Sequence, residues 1–464
     1  MEEKKVRYLI LTDINRGIEI DDIQSLIRLL VYSNEINLEG LIACTSCFLK
    51  KGAKERHEAL IKEIIDAYEK VKPNLDVHAS GYPTADYLKS ITARGIDEFG
   101  KRPGKGFAHD KYNDNPGVNA IIKAADKDDD RPLFVGLWGG ANTLAQAIYK
   151  VSKTRSKEEL DKFLSKLRIY GISDQDHSAK WIRANFGDRL FYIVSPSKGS
   201  WFGNWTYYKA TWPGISADNF KHGSPDGVQK GGFTGADASL VSPEWVDKNV
   251  ISKSVLGALY PHTVFIKEGD TPTYLGLIPN GLNEPLRPDY GGWGGRYKFY
   301  KPTKEQFGTV EKFPIWTNSS DTVVGLDGKT HTSPQATIWR WRTHFQNDFA
   351  ARMQWTTTND KSKVNYAPTV KIYNSHIFAT VGDKVALKAE VFDTQKGDIT
   401  KNWYQYVEAG NSKIALNLNS DGDSAYFIAP AVSVKTDFHV ILEATNDGAP
   451  PLTRYGRFII TVNV

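Results

Sequence analysis

Between the apolar run Tyr8-Leu9-Ile10-Leu11 and the helically spaced Ile23, Leu26, Ile27, Leu30 and Val31 lies the segment Thr12-Asp13-Ile14-Asn15-Arg16-Gly17-Ile18-Glu19-Ile20-Asp21-Asp22. The first run reads as a buried strand and the second as one face of a helix, so four carboxylates gather at a strand's carboxyl end. Crowded carboxylates hold their protons tightly unless a cation or a hydrogen-bond network neutralises them. Open α/β sheets place ligands at that end of their strands. The pattern therefore points to a divalent cation and a substrate. Acidic residues matching a helix dipole would account for Asp21 and Asp22 but leave Asp13 and Glu19 unexplained.

Other side chains could share in such chemistry. Ile172-Ser173-Asp174-Gln175-Asp176-His177 carries candidate acids for a leaving group, with loop capping as the alternative for Asp174 and Asp176 and a surface helix start for His177. Glu268 is a further candidate acid, and Asp270 stands before Thr271-Pro272, where an Asp also suits a helix N-cap. Trp138, Trp201, Trp205 and Trp293 are candidate platforms for sugar rings, although each alone is as readily structural. Arg296 would meet an acidic sugar or pair with Asp289. The two cysteines, Cys44 and Cys47, follow a strand rather than opening a helix, which disfavours redox chemistry. A second ligand pair for zinc is missing, leaving a local disulfide or two thiols near a pocket.

The elements that must position these groups follow from periodicity. Apolar runs at 6–12, 38–43, 77–80, 133–138, 167–172 and 190–194 alternate with helical patterns at 55–68, 118–125, 143–149 and 179–186. That order predicts an α/β fold with a mostly parallel sheet flanked by helices. Residues 196–355 turn rich in Gly, Pro, Trp and Asn, with one more strand expected at 263–267, a short helix at 274–278 and a longer one at 337–353. After about residue 360, short alternating strands at 385–391, 402–406, 425–428, 438–444 and 458–462 predict an immunoglobulin-like β-sandwich without a Cys pair. The expected division is 1–360 and 361–464.

Lys and Arg number 59 against 54 Asp and Glu, a balance too even for nucleic acid. No apolar run approaches the roughly 20 residues of a membrane helix. The start, Met-Glu-Glu-Lys-Lys, carries no apolar leader, so the protein is expected to be cytoplasmic or to have had a leader removed. Self-association stays open.

Several blocks together resemble the nucleoside hydrolase superfamily. They are Thr12-Asp13-Ile14 through Asp21-Asp22-Ile23; Leu38-Glu39-Gly40-Leu41-Ile42; Ile172-Ser173-Asp174-Gln175-Asp176; Glu268-Gly269-Asp270-Thr271-Pro272; Gly291-Gly292-Trp293-Gly294-Gly295-Arg296; and Trp339-Arg340-Trp341-Arg342. They are most similar to a divergent branch from polysaccharide-degrading bacteria, some of whose members are described as cellulose-binding. The resemblance implies an α/β fold around a calcium ion and export to the periplasm or beyond. Asp13, Asp22 and Asp270 are then carboxylate ligands, Asn142 offers its backbone carbonyl, and Asp21 grips a sugar hydroxyl. Such a set suits calcium, which takes six to eight oxygens. The turn departs from nucleoside hydrolases by its length and by Arg16 and Glu19 within it, and base-stacking residues have no counterpart.

The function implied is calcium-dependent hydrolysis of a glycosidic bond in a polysaccharide-derived oligosaccharide. Asp13 would turn a water toward the anomeric carbon, with Asp176 or His177 serving the leaving group. Glu19, Asp21, Asp174, Trp138, Trp293 and Arg296 would contact the sugar. A non-catalytic carbohydrate-binding protein and a nucleoside N-ribohydrolase are the alternatives.

Overall fold

The strand β1 (Val6–Thr12) alternates its side chains between two apolar cores, with Tyr8 and Ile10 in one and Leu9 and Leu11 in the other. A strand buried on both faces belongs inside a sheet covered on both sides. The computed structural model describes residues 5–50, 58–196, 209–216, 235–262, 267–308 and 310–464. In it β1 is central. The other strands are β2 (Ile36–Ala43), β3 (Thr92–Arg94), β4 (Leu133–Leu137), β5 (Leu167–Gly171), β6 (Phe191–Val194), β7 (Tyr297–Tyr300) and β8 (Ile315–Asn318). Their order is β3-β2-β1-β4-β5-β6-β8-β7, parallel throughout except for the final β8–β7 pair.

Helices α1 (Ile20–Val31) and α2 (Glu58–His78) pack on the Tyr8 face. Helices α3 (Pro116–Ala125), α4 (Asn142–Thr154), α5 (Lys157–Lys166) and α6 (His177–Phe186) cover the Leu9 face. The connections diverge between β1 and β4, since α1 leaves β1 for one face while α4 leaves β4 for the other. That split opens a crevice at the carboxyl ends of these two strands, the place where open α/β sheets bind ligands.

The sheet corrects part of the sequence reading. Residues 77–78 close helix α2 instead of opening a strand, because Val71 and Leu75 continue its buried stripe beyond Pro73. The third strand is Thr92–Arg94. Strands β7 and β8, at one end of the sheet, carried too short a pattern to be expected. The strand expected at 263–267 falls largely outside the described residues, as do Trp201 and Trp205. The short helix is α7 (Pro272–Leu275), and the long one breaks at Arg340-Trp341 before α8 (Arg342–Trp355).

The carboxyl-terminal strands form two four-stranded sheets, a β-sandwich around Val385, Leu387, Phe427, Val440, Phe458 and Ile460. Its last strand, Thr453–Asn463, is also docked on the α/β domain. Tyr455 and Tyr406 join the same apolar core as Trp293, Leu282 and Phe345. Arg457 donates to the carbonyls of Leu282 at 2.9 Å and Gly291 at 2.7 Å.

Candidate metal centre

The acidic turn leaves β1 at Thr12 and re-enters helix at Ile20, which brings its carboxylates back over the strand end. Asp13 and Asp22 are 1% exposed and Glu19 9%, while Asp21 is only partly buried. Carboxylate oxygens of Asp13, Glu19 and Asp22 lie within 4.8 Å of one another, as do those of Asp21, Asp22 and Asp270. Asp22 thus belongs to both groups. Asp270 arrives from a segment some 250 residues away in sequence, just before α7.

Capping does not explain these side chains. Neither Glu19 at the start of α1 nor Thr271 at the start of α7 makes a side-chain cap bond. The Asp270 carboxylate is not spent on the helix either: both its oxygens, and both of Asp13, are buried without a hydrogen-bond partner among the described residues. Asp22 accepts from the Thr12 hydroxyl, a contact the sequence did not suggest.

The electrostatics follow. Burial pushes Asp13 up to about 7, the nearby Ser46 hydroxyl offsetting this in part and Asp21 adding repulsion. Burial takes Asp21 up to about 6. Burial and then repulsion among the carboxylates hold Glu19, Asp22 and Asp270 well above the ordinary range. Unpartnered buried carboxylates are costly, and a hard divalent cation relieves both the burial and the repulsion. The donor set of Asp13, Asp22 and Asp270, with Glu19 and Asp21 beside it, fits such an ion by its all-oxygen chemistry.

Two glycines give the cluster its closeness. A Cβ at Gly139 would stand 2.6 Å from Asp13 Oδ1, and one at Gly140 would stand 2.5 Å from the Thr45 carbonyl. Gly140 N–H donates to that carbonyl at 2.8 Å, drawing the loop after β2 across the strand ends. Asn142 opens α4 and commits its side-chain amide to the carbonyls of Glu98 at 2.9 Å and Ile96 at 3.4 Å. Cys44 and Cys47 are not bonded to each other.

Behind the cluster, Glu268 takes a left-handed backbone conformation, φ 55°. Its carboxylate is paired with buried Arg28 at 2.8 Å and accepts from the Tyr260 hydroxyl at 2.7 Å. These contacts hold a strained residue two positions before Asp270.

Several expected site residues are engaged elsewhere. Both oxygens of Asp174 accept from Arg183 at 2.7 Å, and Arg183 also reaches Glu311 at 3.0 Å. Asp176 caps α6 through one oxygen, on Ser178 and Ala179 N–H, while its other oxygen has no partner among the described residues. Burial brings Asp176 up to about 6. His177 is exposed at the first turn of α6, its pKa lowered by burial of its ring and by Lys180 and Lys101.

Trp138 is fully buried, its indole N–H on the Thr273 hydroxyl at 2.8 Å, so it presents no face to a sugar. Trp293 is equally buried, donating to the Tyr455 hydroxyl at 3.2 Å where the two domains meet. Arg296 is 2% exposed and paired with Asp321 at 2.6 Å, away from Asp289, which Arg287 holds. A cavity of about 50 Å³ beneath the loop carrying these residues is lined by Tyr8, Phe134, Tyr170, Leu277 and Pro285 and by none of the five clustered carboxylates.

A doubly wound parallel sheet with an acidic cluster at the split between β1 and β4 defines a nucleoside hydrolase-like protein. The family "Cellulose-binding Sde182, nucleoside hydrolase-like domain" matches residues 7–297, and "Cellulose-binding protein Sde0182, C-terminal domain" matches residues 384–462. The chain belongs to this nucleoside hydrolase-like family. It is 32% identical to a nucleoside hydrolase-related hypothetical protein from Saccharophagus degradans that is associated with carbohydrate metabolism, with a TM-score of 0.79 over 99% of this chain and 100% of that one. The titin M3 domain aligns with 21% of this chain and 97% of its own at 16% identity, with a TM-score of only 0.16. No curated protein matches. No helix among the described residues is long and apolar enough to cross a membrane.

Proposed function

We propose that this protein is a calcium-dependent hydrolase that cleaves a glycosidic bond in a polysaccharide-derived oligosaccharide outside the cytoplasm. The observation that carries the reading is the convergence of Asp13 and Asp270, buried and without hydrogen-bond partners among the described residues, on Asp22 at the switch crevice. Asp13, Asp22 and Asp270 would hold the ion, with the Asn142 carbonyl as a further ligand. When bound, calcium supplies fixed positive charge that orders vicinal hydroxyls and lowers the proton affinity of a nucleophilic water.

The chain's own groups do the rest. Asp13 orients that water and accepts its proton, since both its carboxylate oxygens are buried without a hydrogen-bond partner among the described residues. Asp21, partly exposed at the edge of the cluster, accepts a hydrogen bond from a sugar hydroxyl. Glu19, whose carboxylate lies within 4.8 Å of those of Asp13 and Asp22, takes a second. Asp176 serves the leaving group: one of its oxygens is buried without a partner among the described residues, and burial raises its pKa to about 6, so it keeps its proton at more acidic pH. The carbohydrate association of the Saccharophagus degradans relative and the cellulose-binding description of the family support the substrate class.

The test is release of reducing ends from plant and algal oligosaccharides by the calcium-loaded protein, with Asp13→Ala as control. Turnover abolished by that substitution supports the proposal. Glycan binding without turnover would make the protein a binder, and turnover confined to inosine or uridine would make it a nucleoside N-ribohydrolase.

A further inference from the structure

The loop after β5 holds three buried oxygens that the proposed chemistry does not fully use. Ser173, Gln175 and Asp176 are 3%, 4% and 0% exposed, yet Ser173 Oγ, Gln175 Oε1 and Asp176 Oδ2 have no hydrogen-bond partner among the described residues. Leaving such an atom unpaired costs the desolvation of a polar group with nothing in return. Three in four consecutive residues are uncommon in a native loop and mark a surface built to receive polar groups.

Their position follows from the strand order. Cys47 N–H, on the loop after β2, donates to the Gln175 carbonyl at 2.8 Å. Strands β1 and β4 lie between β2 and β5, so the two loops meet above the carboxyl ends of β1 and β4. Those ends carry Asp13 and Gly139, which approach each other closely. The Gln175 amide N–H donates to the Trp138 carbonyl at 2.6 Å, one residue before Gly139. This bond fixes the amide's orientation and leaves Oε1 as a pure acceptor beside the crevice. Asp174, the neighbouring carboxylate, is withdrawn to Arg183 and cannot play this part.

We infer that Gln175, with Ser173 beside it, is the polyol-recognising side of the site: Gln175 Oε1 accepts from one sugar hydroxyl and the Ser173 hydroxyl pairs with another. This rests on the carbohydrate reading above and adds to it the residues that select hydroxyl stereochemistry. A site built to hydrogen-bond a hydroxyl discriminates strongly against a ligand lacking it, because its buried groups are then left unpaired.

Calorimetric titration of the calcium-loaded protein with cellotetraose tests the assignment, using wild type, Gln175→Met and Ser173→Ala, with calcium affinity and thermal midpoint measured alongside. Gln175→Met should weaken cellotetraose binding about tenfold, the ratio for loss of one hydrogen bond near 1.4 kcal/mol, with calcium affinity unchanged. Ser173→Ala should weaken it less, and it carries the test if Gln175→Met fails to fold. Wild-type binding that both variants match within twofold overturns this inference and leaves the hydrolase reading intact. Wild type that binds neither cellotetraose nor any oligosaccharide hydrolysed in the activity screen removes the carbohydrate reading and this inference together.

Discussion

Asp13 and Asp270 show most clearly how function strains a residue. Both carboxylate oxygens of each are buried without a hydrogen-bond partner among the described residues. In the absence of metal, Asp13 holds its proton up to about pH 7 when folded, against an ordinary value of 3.8. Between those values the folded chain binds protons that the unfolded chain has released, so the stability of the metal-free protein falls as pH rises through this window. A calcium ion binding there would displace the same protons, so its apparent affinity should rise over the same range. Chemical denaturation in chelator at pH 5 and pH 7.5 should show the lower stability at pH 7.5, and excess calcium should cancel or reverse the difference. Asp270→Asn should raise the metal-free stability at neutral pH by about 1–2 kcal/mol, as removal of a functional liability commonly does, while weakening calcium binding. Thermal melts with and without calcium check both signs. The first acidic turn was legible because four carboxylates at one strand end have no ordinary structural purpose. Gln175 was not, because the two aspartates beside it carry the stronger chemical signal, and nothing in the sequence pairs Asp174 with Arg183.

At the scale of elements, the loops after β2, β4 and β5 are the instrument that brings these groups together. The diglycine after β4 allows two of them to touch. Gly139→Ala should push on the Asp13 carboxylate and Gly140→Ala on the Thr45 carbonyl, since a Cβ would stand 2.6 Å and 2.5 Å from these atoms. Both should lower calcium affinity more than they lower stability, as read by calorimetry against thermal melts. Asp174→Ala should do the reverse. It leaves Arg183 buried with one partner fewer and should cost about 3–5 kcal/mol, with calcium affinity retained if the domain still folds. The parallel sheet was readable from its long apolar runs, and β1 and β2 fell close to their expected bounds. The third strand was missed because α2 runs through Pro73 on the strength of Val71 and Leu75 burial, and tertiary packing of that kind outweighs a local helix-breaking signal.

For the whole molecule, the sandwich is part of the α/β domain's core as well as an appendage to it. Trp293, expected at a sugar platform, instead packs against Tyr455 and Phe345. The Gly-rich loop around it serves this docking: a Cβ at Gly291 would meet the Tyr406 hydroxyl at 2.4 Å. A sequence cannot distinguish aromatic residues that face a ligand from those that face another domain, because both require large flat side chains beside flexible backbone. Removing residues 361–464 should therefore expose the apolar surface around Trp293, Leu282 and Phe345 and give an aggregating protein, whereas the intact chain should unfold in one cooperative transition by calorimetry. Two separated transitions would mean that the docking surface contributes little.

The central claim is that Asp13, Asp22 and Asp270 enclose one cation. The most direct measurement is calcium bound per chain by equilibrium dialysis at neutral pH, comparing wild type with Asp270→Asn. One tightly held calcium in the wild type, lost or greatly weakened in the variant while the fold persists, is the expected result. A wild-type chain that binds no divalent cation even at millimolar concentration, or a variant that binds it equally well, would contradict the account.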